Sequence, residues 1–451
     1  MQNTSHEHKK IGLITPYTGS NLGEAAIQDA VIQNIRKRVS KADIYLFTLF
    51  PQKTQKLHKV QSFPLTAIYI PGYSTTLLMK NEDDGTTLSS ETSKLNEAKD
   101  RIKNNPYLYF LFKIPYVFYK LIFKEVPMIF GEFLHIIKSY HTVKNFDLLL
   151  VSGGGQIDDY WGGAMGHPYT LFKWGLIAKA TGTRFVMLSV GVCSLDSILS
   201  RFFTKNALKL AEYRSYRDEK SKDLLCDMQF TRYDRVFPDL AFSYRPNVNG
   251  SSKGLSKNIK KTVIGISPIA YLSNYNWPKE DLSVFQKYID ILIAFTTELV
   301  NRKYYVILFS SDAPDCHIID MVMERLSRTV NDDPDSYIRN PIIATVGELI
   351  EQFDDIDFIV ASRLHGILLS HLMNKPALAI SYDRKVDTYM ENMGQSQYCM
   401  DIHDFELDQL LAKFDLLVEN RSDIKKTVRD KVRDNEISLK SQYDQLLTTC
   451  N

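Results

Sequence analysis

Short apolar runs alternate with helix patterns along this chain, and the alternation occurs twice. Between the runs, apolar side chains recur at the 3.6-residue spacing of a helix that buries one face. Strands and helices that alternate in this way predict a mostly parallel, doubly wound α/β sheet in each half. The predicted strands are residues 11–15, 44–49, 147–151 and 184–189 in the first half, and 263–267, 304–309, 342–346, 358–361 and 376–381 in the second.

The length of the chain supports a division into two domains, because 451 residues are too many for one ordinary hydrophobic core. The patterns predict an N-terminal Rossmann-like domain at residues 10–245 and a C-terminal Rossmann-like domain at residues 263–403. Residues 246–262 are rich in Ser, Asn, Gly and Lys and predict a linker. Residues 404–451 predict a charged helical tail.

Composition argues against several classes of protein. Apolar residues make up 44% and charged residues 24% of the chain, as in an ordinary globular protein. A net charge of +2 gives no reason to expect a nucleic-acid partner. The 5 cysteines contain no Cys-x-x-Cys pair, which argues against a zinc ribbon or a disulfide framework and fits a reducing cytosol. We find no signal-peptide pattern and no transmembrane stretch, and therefore expect a cytoplasmic protein.

A predicted insertion interrupts the first half at about residues 80–140. Residues 80–105 are polar and charged and predict a partly disordered surface segment. Residues 107–140 instead carry many aromatic side chains interleaved with lysines and few acids. Such an amphipathic segment is typical of peripheral contact with a membrane, here at its inner face. The alternative, which we favour, is a helical insertion packed on the N-terminal domain.

Residues 357–366 bring the most chemistry into one place. A buried strand is followed directly by Ser362, Arg363, Leu364, His365 and Gly366, where a helix pattern begins. Open α/β sheets bind ligands at this edge, and the amide groups at a helix N-terminus favour an anion. The guanidinium of Arg363 matches a carboxylate or phosphate, and His365 can carry a proton near neutral pH. The stretch predicts an anion site with an acid/base group, or alternatively a helix cap with a structural arginine and a buried histidine.

Two other strand ends lead into segments suited to a binding site. After the first strand, Asn21 and Glu24 are expected to face a cleft, unless their loop is an ordinary helix cap. Three glycines, Gly153, Gly154 and Gly155, follow the strand at residues 147–151. Their backbone amides can approach a ligand closely. The alternative is a tight turn that requires positive φ.

An arginine and a helix cap follow a short strand late in the first half. Arg217 lies just past this strand, and Asp218 is placed to cap the next helix, which extends through Leu225. We expect Arg217 to point into the same cleft as Arg363. The alternative is a surface ion pair.

Four of these segments together resemble the polysaccharide pyruvyl transferase family. They are Asn21-Leu-Gly-Glu24, Gly153-Gly-Gly155, Arg217-Asp218-x-x-Ser221 and Ser362-Arg-Leu-His-Gly366, of which the last is the most specific. The resemblance extends from about residue 11 to about residue 395. It implies two Rossmann-like domains facing a cleft, similar to the GT-B glycosyltransferases. Glu24 stands where the family often has Asp, and the long insertion leaves the acceptor open.

The resemblance also implies a reaction and roles for particular residues. The family moves the enolpyruvyl unit of phosphoenolpyruvate onto sugar hydroxyls and forms a pyruvate ketal. By this likeness, Arg217, Arg363, Leu364 and His365 bind phosphoenolpyruvate or act on it. His365 is the expected acid/base residue, and Asp158 or Asp159 is expected to orient the acceptor.

The expected partners are phosphoenolpyruvate and a sugar, oligosaccharide or lipid-linked sugar acceptor. No cofactor and no metal are expected. Two arginines and the amides of the glycine segment suit the phosphate and the carboxylate of the donor.

Two other functions fit the same sequence. A nucleotide-sugar glycosyltransferase of GT-B type would share the fold, so the fold alone does not separate it from a pyruvyl transferase. A non-catalytic member of a glycan assembly complex would use residues 107–140 to dock. The joint presence of Arg217, Arg363 and His365 argues against this non-catalytic role.

Overall fold

A computed structural model describes residues 8–39, 41–68, 126–160, 162–230, 234–246, 261–273, 277, 280–329 and 338–447. Most of the predicted insertion and nearly all of the predicted linker lie outside these residues.

Within the described residues, the first domain contains a sheet of seven parallel strands. They are β1 (Lys9–Ile14), β2 (Ala42–Thr48), β3 (Ser62–Pro64), β4 (Leu148–Ile157), β5 (Arg184–Val192), β6 (Tyr213–Tyr216) and β7 (Arg235–Val236). Their order is β3-β2-β1-β4-β5-β6-β7, so the direction of winding reverses between β1 and β4. The accompanying helices are α1 (Leu22–Arg38), α2 (Pro51–His58), α3 (Val126–Val143), α4 (His167–Thr181), α5 (Ile198–Leu210) and α6 (Glu219–Asp227).

The second domain repeats this arrangement with six parallel strands among its described residues. They are β8 (Val263–Ser267), β9 (Tyr305–Leu308), β10 (Ile338–Arg339), β11 (Phe358–Ala361), β12 (Ala377–Ser381) and β13 (Cys399–Asp401), in the order β10-β9-β8-β11-β12-β13. The winding reverses between β8 and β11. The helices are α7 (Leu282–Asn301), α8 (Ala313–Thr329), α9 (Val346–Asp354), α10 (Leu364–Leu372) and α11 (Arg384–Asn392).

These two sheets confirm the predicted fold class. Every residue of β8, β11 and β12 is buried, which explains why these strands appear in the sequence as apolar runs without alternation. Helices cover both faces of a parallel sheet and exclude water from both. In sheets of this type, ligands bind where the winding reverses, beyond the carboxyl ends of the strands.

The predicted helical tail consists of two helices, α12 (Leu407–Glu419) and α13 (Arg421–Leu447). The α12 helix packs on the second domain, where the ring of Phe414 lies 5.6 Å from that of Phe295. The α13 helix returns to the first domain, because Gln442 Nε2 donates to Ser215 Oγ at 2.6 Å. The last helix therefore joins the two domains.

The described end of the insertion, α3, is fixed to the first domain by a buried ion pair. Glu132 accepts from Lys173 Nζ at 2.7 Å, and both side chains are almost completely buried. The second oxygen of Glu132 accepts from the Ala67 amide at 2.8 Å and from Thr66 Oγ1 at 3.1 Å. These bonds satisfy the buried carboxylate and hold α3 against α4. The remainder of the aromatic segment, residues 107–125, lies outside the described residues.

The outer face of α3 is apolar and exposed. Ile129, Phe130 and Phe133 are 65%, 60% and 56% exposed. No helix in the described ranges combines the length and the apolar character that a bilayer crossing demands. The described part of the insertion is thus packed on one side and leaves apolar side chains on the other.

One strand was predicted at the wrong place. Residues 342–346 do not form a strand, and Ile342 is 96% exposed. The strand in this region is β10, which pairs with β9 two residues before Pro341. Proline has no amide hydrogen for a sheet. The segment after it leads into the cap of α9, where Thr345 and Glu348 form a capping box.

Candidate active site

The site lies where the carboxyl ends of the two sheets meet at the N-terminus of α1. Asn21 Nδ2 donates to Asp312 Oδ2 at 3.1 Å, and the Leu22 amide donates to the Ser311 carbonyl at 2.8 Å. A Cβ atom added to Gly23 would lie only 2.1 Å from the His365 ring. The two domains are therefore in direct contact at this position, and His365 packs on the backbone of α1.

Asp239 connects His365 to Arg217 across the two domains. Its Oδ2 atom lies 3.6 Å from Nε2 of His365 and 3.6 Å from Nη1 of Arg217. Burial would raise the pKa of Asp239, but His365 and Arg217 together hold this pKa below its usual range. Both Asp239 Oδ2 and His365 Nε2 are buried with no partner at hydrogen-bond distance. Because 3.6 Å is just beyond that distance, a small movement would join them.

Local structure fixes the first-domain members of this group. Arg217 directly follows β6, and its amide donates to the Val190 carbonyl at 3.1 Å. Asp239 caps a short 3₁₀ turn, Leu240–Ser243, by accepting from the Ala241 amide at 3.0 Å through its other oxygen. Asp218 caps α6, as predicted, by accepting from the Ser221 amide at 2.7 Å. The structure thus places Arg217 in the cleft rather than on the outer surface.

Arg363 is largely occupied by carboxylates of its own domain. Its Nε and Nη2 atoms donate to Asp315 at 2.7 and 3.0 Å, and Nη1 lies 3.4 Å from Asp312. Burial opposes the charge on Arg363, but these two carboxylates raise its pKa well above the ordinary value. A guanidinium has five N–H groups, so two remain for other partners. Arg363 therefore acts as a structural tie between β11 and α8, whatever else it binds.

The N-terminus of α10 carries no side-chain cap in this structure. Arg363 occupies the cap position, and its side chain makes no capping bond. Since the first turn of a helix has free amide groups, the amides of Leu364, His365 and Gly366 form the positive end of α10. Ser362 is buried, and its hydroxyl lies 3.1 Å from the Tyr288 hydroxyl, so this contact fixes the turn between β11 and α10.

Asn21 and Glu24 have different roles at the start of α1. Asn21 Oδ1 accepts from the amides of Gly23 and Glu24 at 2.9 and 3.1 Å. Asn21 therefore caps α1, as the alternative interpretation of this loop as an ordinary helix cap predicts. Burial, reinforced by the charge of Asp312, raises the pKa of Glu24 to about 7. Glu24 is therefore a carboxyl group at the domain boundary that can exchange a proton near neutral pH.

The three glycines do not form a loop after the strand, because β4 continues through them to Ile157. Gly153 and Gly154 have φ values of +60° and +74°, so positive φ is indeed required at two of the three positions. A Cβ atom on Gly153 would lie 2.9 Å from Leu240 Cδ1. Gly153 thus allows the 3₁₀ turn that carries Asp239 to pack closely on β4.

The two aspartates after β4 point to different places. Asp159 Oδ2 accepts from the amides of Asp196 and Ser197 at 3.1 and 3.2 Å, which assigns it to loop structure. Asp158 Oδ2 lies 3.2 Å from Nδ1 of His167. Burial would lower the pKa of His167, but the Asp158 carboxylate outweighs burial and raises it. Asp158 and His167 form a buried carboxylate–imidazole pair.

Sequence reasoning missed several residues of this site. Asp312 follows β9 of the second sheet, and the rule that locates Arg363 would have found it. His167 begins a helix that follows a glycine-rich turn. Asp239 gives no comparable signal, because it precedes a single 3₁₀ turn and not a regular strand or helix. Asp315 lies within the first turn of α8.

A family comparison covers this entire arrangement. The family model for polysaccharide pyruvyl transferases matches residues 21–384, from the cap of α1 to the start of α11. The chain belongs to the polysaccharide pyruvyl transferase family. The recognised resemblance is thereby confirmed. Among curated proteins, no sequence matches this family member significantly.

Solved structures support the same fold. A glycosyltransferase from Rickettsia africae ESF-5 aligns with a TM-score of 0.57 at 11% identity, over 98% of this chain and 99% of its own. MnaA of S. aureus with UDP aligns with a TM-score of 0.54 at 12% identity, over 95% and 91%. Anabaena HepE with UDP aligns with a TM-score of 0.53 at 12% identity, over 98% and 99%. The chain has a two-domain, Rossmann-like GT-B fold.

We predict that Gly23→Ala lowers the melting temperature and greatly reduces the turnover of the protein that remains folded. An added methyl group at this position must push the His365 ring aside, since the gap is only 2.1 Å. A 1 Å misplacement of a reacting group can lower a rate by about 100-fold. Gly131→Ala is the matched control, because its Cβ atom would meet nothing within 4 Å. Equal turnover by the two variants would contradict this account of His365.

We predict that Glu24→Gln stabilises the protein in mildly alkaline solution. The folded state raises the pKa of Glu24 from 4.5 to about 7, so folding favours its protonated form and stability falls as pH rises through this window. Glutamine mimics that neutral form, and the gain at about pH 8 is at most about 3 kcal/mol. Thermal melting from about pH 5 to pH 8 tests this. Glu351→Gln is the control, because Glu351 is exposed. A gain in stability of Glu24→Gln that does not depend on pH would contradict the raised pKa of Glu24.

Proposed function

We propose that this protein transfers the enolpyruvyl unit of phosphoenolpyruvate to a sugar hydroxyl and forms a pyruvate ketal during polysaccharide biosynthesis. The observation that carries the proposal is the Arg217–Asp239–His365 group beside the N-terminus of α10. It combines a buried cation, a proton-transfer residue and free amides within one cleft. Membership of the polysaccharide pyruvyl transferase family supports the same reaction class.

The donor carries a phosphate and a carboxylate, and the site offers two places for anions. Arg217 is the more available arginine, because its contacts to Asp218 and Asp239 are 3.5 and 3.6 Å long. Arg363 instead has close bonds of 2.7 and 3.0 Å to Asp315. We therefore assign one donor anion to Arg217 and the other to the amides of α10, with Arg363 contributing its two remaining N–H groups.

His365 is the proposed acid/base residue. Protonation at C3 of phosphoenolpyruvate makes C2 an electrophile, which one sugar hydroxyl attacks. Phosphate then leaves, and a second hydroxyl attacks C2 to close the ketal. The two sugar hydroxyls release one proton each. One of these protons replaces the proton that was added to C3, and the other leaves with phosphate. Asp239 orients the imidazole and stabilises its charged form, as a carboxylate commonly does beside a catalytic histidine.

The direct test incubates the purified protein with phosphoenolpyruvate and nucleotide-linked or lipid-linked sugars, and measures phosphate release. We expect His365→Ala to lower turnover by about 100-fold or more, since acid/base catalysis contributes about 10²–10⁴-fold. His141→Ala, an exposed histidine at the end of α3, is the control. A His365→Ala rate within about threefold of the wild-type rate would exclude the role, since removing an acid/base group costs far more. Sugar transfer from a nucleotide sugar without phosphoenolpyruvate would favour the glycosyltransferase alternative.

We further infer that the outer face of α3 brings the enzyme to the cytoplasmic surface of a membrane, where lipid-linked acceptors occur. The support is the row of exposed apolar side chains Ile129, Phe130 and Phe133 on a helix whose other side is anchored by Glu132. A helix with one apolar face can lie in the plane of the lipid interface.

Flotation with anionic liposomes tests this membrane contact. We expect wild-type protein to float at low salt, and the double variant Phe130→Ser and Phe133→Ser to remain in the soluble fraction. Ile437→Ser is the matched control, because Ile437 on α13 is 60% exposed, as is Phe130. Wild-type protein that remains soluble would leave α3 as a packed insertion only.

A further inference from the structure

Three aromatic side chains gather at the carboxyl edge of the second sheet, beside the proposed donor site. Tyr271 and Trp277 follow β8, and Tyr382 follows β12. The ring centroids are 5.2 Å apart for Tyr271 and Trp277, 5.4 Å for Tyr271 and Tyr382, and 5.8 Å for Trp277 and Tyr382. We call these three residues the aromatic wall. All three side chains are only partly buried.

The position of Tyr382 and two further contacts connect the aromatic wall to the proposed active site. Tyr382 directly follows β12, which pairs with β11, the strand that leads into Arg363. Lys385 Nζ lies 5.1 Å from the centre of the Tyr382 ring. From the first domain, the Tyr160 hydroxyl accepts a hydrogen bond from the Trp277 side chain. The aromatic wall therefore lies in the same cleft and borders both domains.

Phosphoenolpyruvate does not account for these rings. The donor is small and doubly anionic, and the arginines and helix amides already provide for both anions. Ligand sites are usually lined by aromatic side chains with a few polar groups that fix orientation. A pyranose ring has an apolar face of C–H groups and a rim of hydroxyls, which suits aromatic faces bordered by Tyr hydroxyls and Lys385.

The rings of the aromatic wall meet at steep angles. Trp277 meets Tyr271 at 78° and Tyr382 at 83°, so the rings form a corner. A saturated ring with substituents above and below its plane can contact both sides of such a corner.

We propose that Tyr271, Trp277 and Tyr382 bind the pyranose ring of the acceptor. This inference rests on the proposed function, and it names the part of the cleft that the second substrate occupies. Each ring contacts the other two, and we choose Trp277 for the test because its side chain also reaches Tyr160 of the first domain.

Calorimetry tests the binding step without any turnover. The probes are the methyl pyranosides of glucose, galactose, mannose and N-acetylglucosamine, with UDP and phosphoenolpyruvate titrated separately. We expect at least one pyranoside to bind wild-type protein and to bind Trp277→Ala about tenfold more weakly, the scale of one lost aromatic contact. Trp277→Phe should recover part of the loss. Affinity for phosphoenolpyruvate should stay the same in all variants.

Tyr140→Ala is the control for nonspecific effects, because Tyr140 is an aromatic residue on α3 and not part of the aromatic wall. If Trp277→Ala fails to fold, Tyr382→Ala provides the same measurement. Pyranoside binding that is equal in wild type and variants, or absent from wild type, overturns the inference. If Trp277→Ala weakens the binding of UDP but of no pyranoside, the inference is also overturned, in favour of a nucleobase site. If the wild-type protein does not bind phosphoenolpyruvate, this result counts against the proposed function and not against the sugar site.

Discussion

The site depends on how closely the N-terminus of α1 approaches the start of α10. With no side chain at Gly23, the His365 ring lies directly on the backbone of the other domain. The Asn21–Asp312 hydrogen bond and the bond from Leu22 to Ser311 hold the two strand edges at this separation. Only at this distance can Asp239 of the first domain and His365 of the second form one group.

Burying so many charges in one contact requires that they compensate one another. Arg363 faces Asp315 and Asp312, and Asp239 faces Arg217 and His365. Removing a partner from such a pair leaves a buried charge unpaired, at a cost of about 3–5 kcal/mol. Arg363 is bound within its own domain, whereas Asp239 pairs partly with the other domain. The first pair therefore maintains the shape of one wall, and the second joins the two domains.

Sequence patterns located the strand ends well and the charge partners poorly. Arg217, Arg363 and His365 could be placed in one cleft because parallel strands of doubly wound sheets end at a common edge. The sequence did not show that Asp315 binds Arg363, so the structural role of this arginine could not be predicted beside its proposed role in ligand binding. Asp239 sits before a 3₁₀ turn, without periodicity, and its partner His365 is distant in sequence. The false strand at residues 342–346 shows that an apolar run after a proline need not be buried.

The last helix limits how the cleft can open. Arg421 at its beginning donates to Asp357 at the start of β11, and Gln442 near its end donates to Ser215 in β6. At 1.5 Å per residue, α13 is a rod about 40 Å long, fastened to a different domain at each end. A rod held in this way resists separation of the domains along its axis.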